Sequence, residues 1–113
     1  MYKIYHNTRC KKSRAGLQYL QEKGIEPEII EYLKDPLSED ALKDILVRMH
    51  KKPTEIIRTQ EAIYKSNYKG KNFTDEEWVK ILIENPKLIQ RPIIVKGPKA
   101  VIGDPVSEID ALL

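Results

Sequence analysis

The chain has 113 residues, 41% hydrophobic and 33% charged, which suits one domain with an apolar core under a charged surface and excludes disordered and fibrous classes. No apolar run approaches the ~20 residues that a bilayer-spanning helix needs, and the start Met1-Tyr2-Lys3-Ile4-Tyr5-His6 lacks a secretory apolar stretch, so the expectation is a cytoplasmic protein without a membrane partner. A net charge of +3 is too small to imply direct binding of nucleic acid.

Residues 2–6 alternate and are β-prone, which predicts a first strand ending before Asn7. Good helix formers from Lys11 to Lys23, with an apolar stripe through Ala15, Leu17 and Leu20, predict a helix stopped by Gly24. The run Glu28-Ile29-Ile30-Glu31-Tyr32 reads as a second strand, so the opening is a β-α-β unit with a parallel crossover.

From Ser38 to about Met49, Leu42, Ile45, Leu46 and Met49 recur at helical spacing behind the acidic first turn of Glu39 and Asp40. A short helical piece after Pro53-Thr54 is expected to turn Ile56 and Ile57 inward beside Arg58, and residues 65–72 are expected to form a polar loop. Thr74-Asp75-Glu76-Glu77 has the form of a capping box and predicts a helix ended by Asn85-Pro86. Ile93 to Lys96 and Ala100 to Ile102 flank Gly97-Pro98-Lys99 as a hairpin, and Pro105 to Leu113 reads as a closing helix. The whole is an α/β chain, one domain over residues 1–113, with a mixed four-stranded sheet built as β-α-β, a helical insertion at about 38–90, then β-β-α.

The charge is unevenly placed. The first 21 residues carry Lys3, Arg9, Lys11, Lys12 and Arg14 and no acidic side chain, and four of these cations surround the only cysteine, Cys10. A single cysteine excludes an internal disulfide and a dithiol redox cycle within this chain. Cys10 lies where the first strand hands over to the first helix, and a helix N-terminus together with nearby cations stabilises a thiolate. It is the leading candidate nucleophile, with an inert turn cysteine as the alternative. Ser13 is expected to donate a hydroxyl hydrogen bond to the sulfur. His6 either orients the Cys10 loop, supplies a nearby positive charge or is structural.

Other chemistries lack their residues. Zinc fails on ligand count, because His6, His50 and Cys10 are the only residues of the preferred types, so no metal is expected. A phosphatase loop needs arginine six residues after its cysteine, where this chain has Gly16, and no glycine-rich nucleotide motif is present. Tyr64, Tyr68 and Phe73 among Lys65, Lys69 and Lys71 read as a solvated loop in preference to a single-strand-binding patch.

The segment Tyr5-His6-Asn7-Thr8-Arg9-Cys10-Lys11-Lys12-Ser13-Arg14 resembles the His-Asn-x-x-Cys-x-x-Ser-Arg start of ArsC-type arsenate reductases. The resemblance continues through residues 24–27, Glu31-Tyr32-Leu33-Lys34, Ile57-Arg58-Thr59, residues 62–64 and residues 88–95. It implies a thioredoxin-like fold and a monothiol oxidoreductase with no bound cofactor. In that family a cysteine thiolate attacks the arsenic of arsenate, glutathione attacks the adduct, and glutaredoxin completes reduction to arsenite. By match, Cys10 is the nucleophile, Arg58 and Arg91 clamp the oxyanion, Pro92 is the cis-proline that walls the site, and His6, Asn7, Ser13 and Arg14 support it. The implied partners are an arsenate-like oxyanion, glutathione as co-substrate and glutaredoxin.

One position departs from the pattern. A third family arginine matches Asp104 here, which turns attraction for an oxyanion into repulsion of ~1 to 4 kcal/mol at 4 Å. Two other activities are therefore kept: a glutathione-dependent thiol reductase of different substrate, and a non-enzymatic Spx-like regulator that binds RNA polymerase. The Spx-like branch often carries a second cysteine where this chain has Ser13.

Overall fold

The computed structural model describes all of residues 1–113. The chain divides into two compact units, residues 1–35 with 91–113, and residues 36–90. In the first unit, strand β1 (Tyr2–His6) leads through helix α1 (Lys11–Glu22) to strand β2 (Glu28–Glu31), and strands β3 (Ile93–Lys96) and β4 (Lys99–Ile102) complete the sheet. The strand order is β2-β1-β3-β4, with β1 parallel to β2 and antiparallel to β3, and β3 antiparallel to β4. This is the mixed four-stranded, thioredoxin-like arrangement expected from the β-α-β and β-β-α ends of the chain.

Ile4 and Ile94 are paired across the two central strands and are fully buried with Leu20 of α1 and with Ile109 and Leu112 of the closing segment. The hydroxyl of Tyr2 donates to the carbonyl of Leu112 at 3.0 Å and ties that segment to the sheet. The closing helix is a run of 3-10 turns over Val106–Leu112, tighter than the expected α-helix. The hairpin is also tighter than expected. Lys99 pairs with Lys96, so only Gly97 and Pro98 turn the chain, which Gly97 allows by taking a φ of +55°.

The buried face of α1 differs from the expected stripe. Ser13, Gly16 and Leu20 are buried, Leu17 is partly buried and Ala15 is exposed. The reason is Pro92, which fills the space over Gly16: an added β-carbon at Gly16 would lie 2.6 Å from Pro92 Cγ, and one at Gly103 would lie 3.2 Å from the same atom. A small residue on each side lets the proline ring pack between helix and strand ends. The Arg91–Pro92 peptide bond is cis, as is Asp104–Pro105.

The second unit is helical. Helix α2 (Glu39–Met49) begins at Ser38, whose hydroxyl accepts from the Ala41 amide at 3.1 Å. Helix α3 (Ala62–Asn67) occupies part of the expected polar loop; its side chains are at most partly buried, so no apolar stripe marked it in the sequence. Helix α4 (Asp75–Glu84) has the expected capping box, with Thr74 and Glu77 exchanging hydrogen bonds of 2.9 and 3.1 Å. Leu42, Ile45, Leu46 and Met49 of α2 and Trp78, Val79 and Leu82 of α4 are buried, and Tyr68 and Phe73 meet the Trp78 ring at centroid distances of 6.0 and 5.1 Å. Ile56 and Ile57 turn inward as expected, Ile57 through an antiparallel bridge to Ile89. No helix is long and apolar enough to cross a membrane.

Gly16→Ala is expected to destabilise the fold. Overpacking costs ~1 to 3 kcal/mol, which exceeds the gain of at most ~1 kcal/mol that alanine brings to a helix interior. Urea denaturation checks this, and a variant as stable as the wild type would show that the Pro92 ring yields freely.

Candidate active site

The site is built on the four residues between β1 and α1. The Asn7 carbonyl accepts from the Cys10 amide at 3.0 Å, and the Asn7 side chain accepts from the Arg9 amide at 3.0 Å. Asn7 also donates its own amide to Ser13 Oγ at 3.0 Å, and Arg14 donates from Nη1 to the Thr8 carbonyl at 3.0 Å. Two side chains from the first turns of α1 therefore reach back and fix the loop in front of it. This corrects the expectation for Ser13: its hydroxyl oxygen, fully buried, accepts from Asn7, and it is the Ser13 backbone amide that serves the sulfur.

Cys10 is the N-cap residue of α1, in extended conformation and half-buried. No side-chain capping bond closes the first turn, so the turn's amides remain available to a charge on the sulfur. Burial by itself pushes the thiol pKa up. A hydrogen bond from the Arg91 side chain, the amides of Ser13 and Lys12, and the Arg91 charge more than offset this, and the pKa lies below its ordinary value of 9.0. The result is a sulfur that ionises more readily than a free thiol, with a guanidinium hydrogen-bonded to it and still reachable by solvent.

His6, at the end of β1, is 4% exposed and its Nδ1 has no hydrogen-bond partner. Burial lowers its pKa below 6.5, the Glu31 carboxylate pulls it back up in part, and Arg14 lowers it further. At neutral pH His6 is therefore uncharged, which removes its expected option as a source of positive charge beside Cys10. Pro92 sits fully buried between Gly16 and Gly103, with its carbonyl accepting from the Gly103 amide at 2.8 Å.

Thus the first unit gathers Cys10, Arg91, Ser13, Asn7, Arg14 and Pro92, with His6 behind the loop. Arg58 belongs to the second unit, where Nη2 is 3.1 Å from Glu61 Oε2 and the side chain is only 14% exposed. The structure adds an ion pair that the sequence did not signal: Lys12 Nζ lies 2.9 Å from Asp104 Oδ2. The carboxylate standing at the missing arginine's position is thereby matched by a cation from the first turn of α1. Both partners are well exposed, so the pair is worth ~0 to 1 kcal/mol to stability and matters for local charge.

Because ionisation is easier in the folded chain than at the ordinary value of 9.0, the thiolate adds stability that is complete above pH 9.0 and is lost as pH falls through the folded pKa. The stability difference between the wild type and Cys10→Ser should widen with rising pH over that window in urea titrations. Arg91→Ala should move the Cys10 pKa upward, read from the pH dependence of iodoacetamide alkylation. An apparent wild-type pKa at or above 9.0 would contradict the electrostatic account.

Comparison with known proteins identifies the family. The family model described as "ArsC family" matches residues 5–112. An Escherichia coli K12 protein of uncharacterised activity, YfgD, is 39% identical over 109 residues, covering 95% of this chain and 92% of that protein. The arsenate reductase of Haemophilus influenzae is 37% identical over 112 residues, covering 97% of both chains. The solved arsenate reductase structure from Vibrio cholerae superposes with a TM-score of 0.93 at 33% identity, covering 99% of this chain and 97% of that one. These relatives support an enzyme of the arsenate reductase type. With the match extending over nearly all of its length, the chain belongs to the ArsC family.

Proposed function

We propose that this protein is a thiol-dependent oxidoreductase that reduces arsenate to arsenite through a covalent adduct on Cys10, with glutathione and glutaredoxin as reductants, in the reducing setting of the cytoplasm. The observation that carries this reading is the sulfur itself, held at a helix N-terminus by two backbone amides and the Arg91 guanidinium. A thiolate is the reactive form of cysteine, and an arginine that hydrogen-bonds the sulfur is placed to meet an oxyanion drawn to it.

In the proposed cycle the Cys10 thiolate forms a bond to arsenic(V) while one arsenic–oxygen bond breaks and the oxygen, taking up protons from solvent, leaves as water. The glutathione thiol replaces a second oxygen, again as water. A glutaredoxin thiolate then takes the glutathione sulfur as a mixed disulfide, and the electron pair of the broken sulfur–arsenic bond stays on arsenic, now arsenic(III). Hydrolysis releases arsenite and restores the Cys10 thiolate. Arg91 stabilises the charge at both ends of the sequence, first on sulfur and then on the arsenic oxygens. The Lys12–Asp104 pair supports the oxyanion reading despite the missing arginine, since the carboxylate's charge is matched by its partner.

The test is NADPH consumption in a coupled assay with arsenate, glutathione, glutaredoxin and glutathione reductase. The wild type should turn over, Cys10→Ser should not, and Arg91→Ala should lose roughly 10²- to 10³-fold in kcat/KM. The clamp role that the resemblance gives to Arg58 predicts a raised KM for arsenate in Arg58→Ala. Turnover of glutathione mixed disulfides with arsenate ignored would replace arsenate by a disulfide substrate, and activity surviving in a folded Cys10→Ser protein would end the nucleophile assignment.

A further inference from the structure

The stretch Glu31-Tyr32-Leu33-Lys34 takes no part in the chemistry above. The amides of Lys34 and Asp35 both donate to the Glu31 carbonyl, at 3.0 and 2.8 Å, and fold the chain into a turn as it leaves β2. Because β1 and β2 are parallel and stay paired as far as His6 and Glu31, their following loops leave the sheet at the same end. Between them lies a cleft of about 290 Å3, lined by His6, Asn7 and Arg9 on one side and by Glu31, Leu33 and Lys34 on the other.

The chemistry of this cleft is specific in three ways. It offers charges of both signs: Arg9 and Lys34 as cations, and Glu31 as an anion 3.5 Å from Lys34 in an exposed pair that water already screens. It offers an apolar strip, since Leu33 is 40% exposed. At the end of β1 stands the 96%-buried His6, whose Nδ1 is satisfied by no protein atom. An occupant that supplies the missing hydrogen bond removes the cost of leaving this buried nitrogen unpaired. The Asn7–Arg9 wall is fixed in advance by the bonds from Ser13 and Arg14, and Arg9 directly precedes Cys10.

A bare oxyanion fits this lining poorly, because Glu31 would repel it and Leu33 would go unused. We propose that the cleft seats the charged end of the thiol co-substrate, a small peptide-like thiol with carboxylate and ammonium groups. Arg9 and Lys34 meet its carboxylate, Glu31 its ammonium, Leu33 its methylene stem and His6 Nδ1 a polar peptide atom. The assignment rests on the thiol-dependent reading above and adds to it the place where the thiol is recognised, next to the loop that carries the nucleophile.

The experiment is a titration of the isotope-labelled full chain with S-methylglutathione, which has no free thiol and cannot react at Cys10, followed by amide NMR. Saturable shifts confined to residues 6–9 and 31–34 are expected. Lys34→Ala should weaken binding roughly three- to fivefold, and Arg9→Ala/Lys34→Glu by tenfold or more. Methyl esterification of both carboxylates of the probe should abolish the shifts, and sodium sulfate at matched ionic strength should not reproduce them. Absence of saturable shifts, shifts elsewhere, or an identical response to sulfate would overturn the proposal. Arsenate turnover with glutathione in a protein that shows no such binding would remove the cleft assignment alone. Binding intact in a protein without any reductase activity would remove the reductase reading and leave the cleft as a zwitterion site.

Discussion

A sulfur half withdrawn from water is penalised for ionising, and in this protein the start of α1 and Arg91 work against that penalty. The first turn of α1 supplies the amides of Lys12 and Ser13, and Arg91, arriving from the far end of the sequence, supplies both a hydrogen bond and a full charge. A helix terminus alone contributes of order 0.3 to 1 kcal/mol at an exposed site. The guanidinium is the stronger contribution, because a charge-assisted hydrogen bond is about twice as strong as a neutral one. The chemistry therefore depends on Arg91 being delivered to the start of α1.

That delivery is a packing problem, solved by Pro92. Its ring is buried between Gly16 on the helix and Gly103 after β4, with no room for a β-carbon at Gly16, and its carbonyl holds the Gly103 amide. Arg91 precedes this wedge directly, so its backbone is anchored by the same contacts that join α1 to the sheet. The geometry of the candidate site and the packing of the core are here one set of interactions.

The charges around the site are balanced as much as they are gathered. Lys12 is matched by Asp104, while the Arg14 guanidinium donates to the Thr8 carbonyl. Of the five cations that precede the first acidic residue, Lys12 and Arg14 are held by these partners, and the side chain that reaches the sulfur by hydrogen bond is Arg91, from elsewhere in the chain. A basic sequence neighbourhood and a basic active site are different things. The neutral His6 makes the same point: its proximity to Cys10 in sequence suggested a positive charge, and burial removes it.

The strands, the first helix, both capped helices and the place of Cys10 at the strand-to-helix junction could be read from local pattern, because alternation, helical spacing and caps act over a few residues. The candidate nucleophile was legible for the same reason. Helix α3 was not, since its side chains face no core and leave no periodic trace. The reversed role of Ser13, the Lys12–Asp104 pair and the cleft between the loops after β1 and β2 were also invisible in the sequence. The ion pair and the cleft join residues that the chain order separates and that only strand pairing and helix packing bring together, while the Ser13 bond depends on how the loop turns onto α1. What the sequence by itself determined was which residue is the candidate nucleophile and where along the fold it stands. The tertiary structure alone decided which of the many charges touch it, because a contact between residues 10 and 91 exists only once the central strands are paired and Pro92 has closed against the helix.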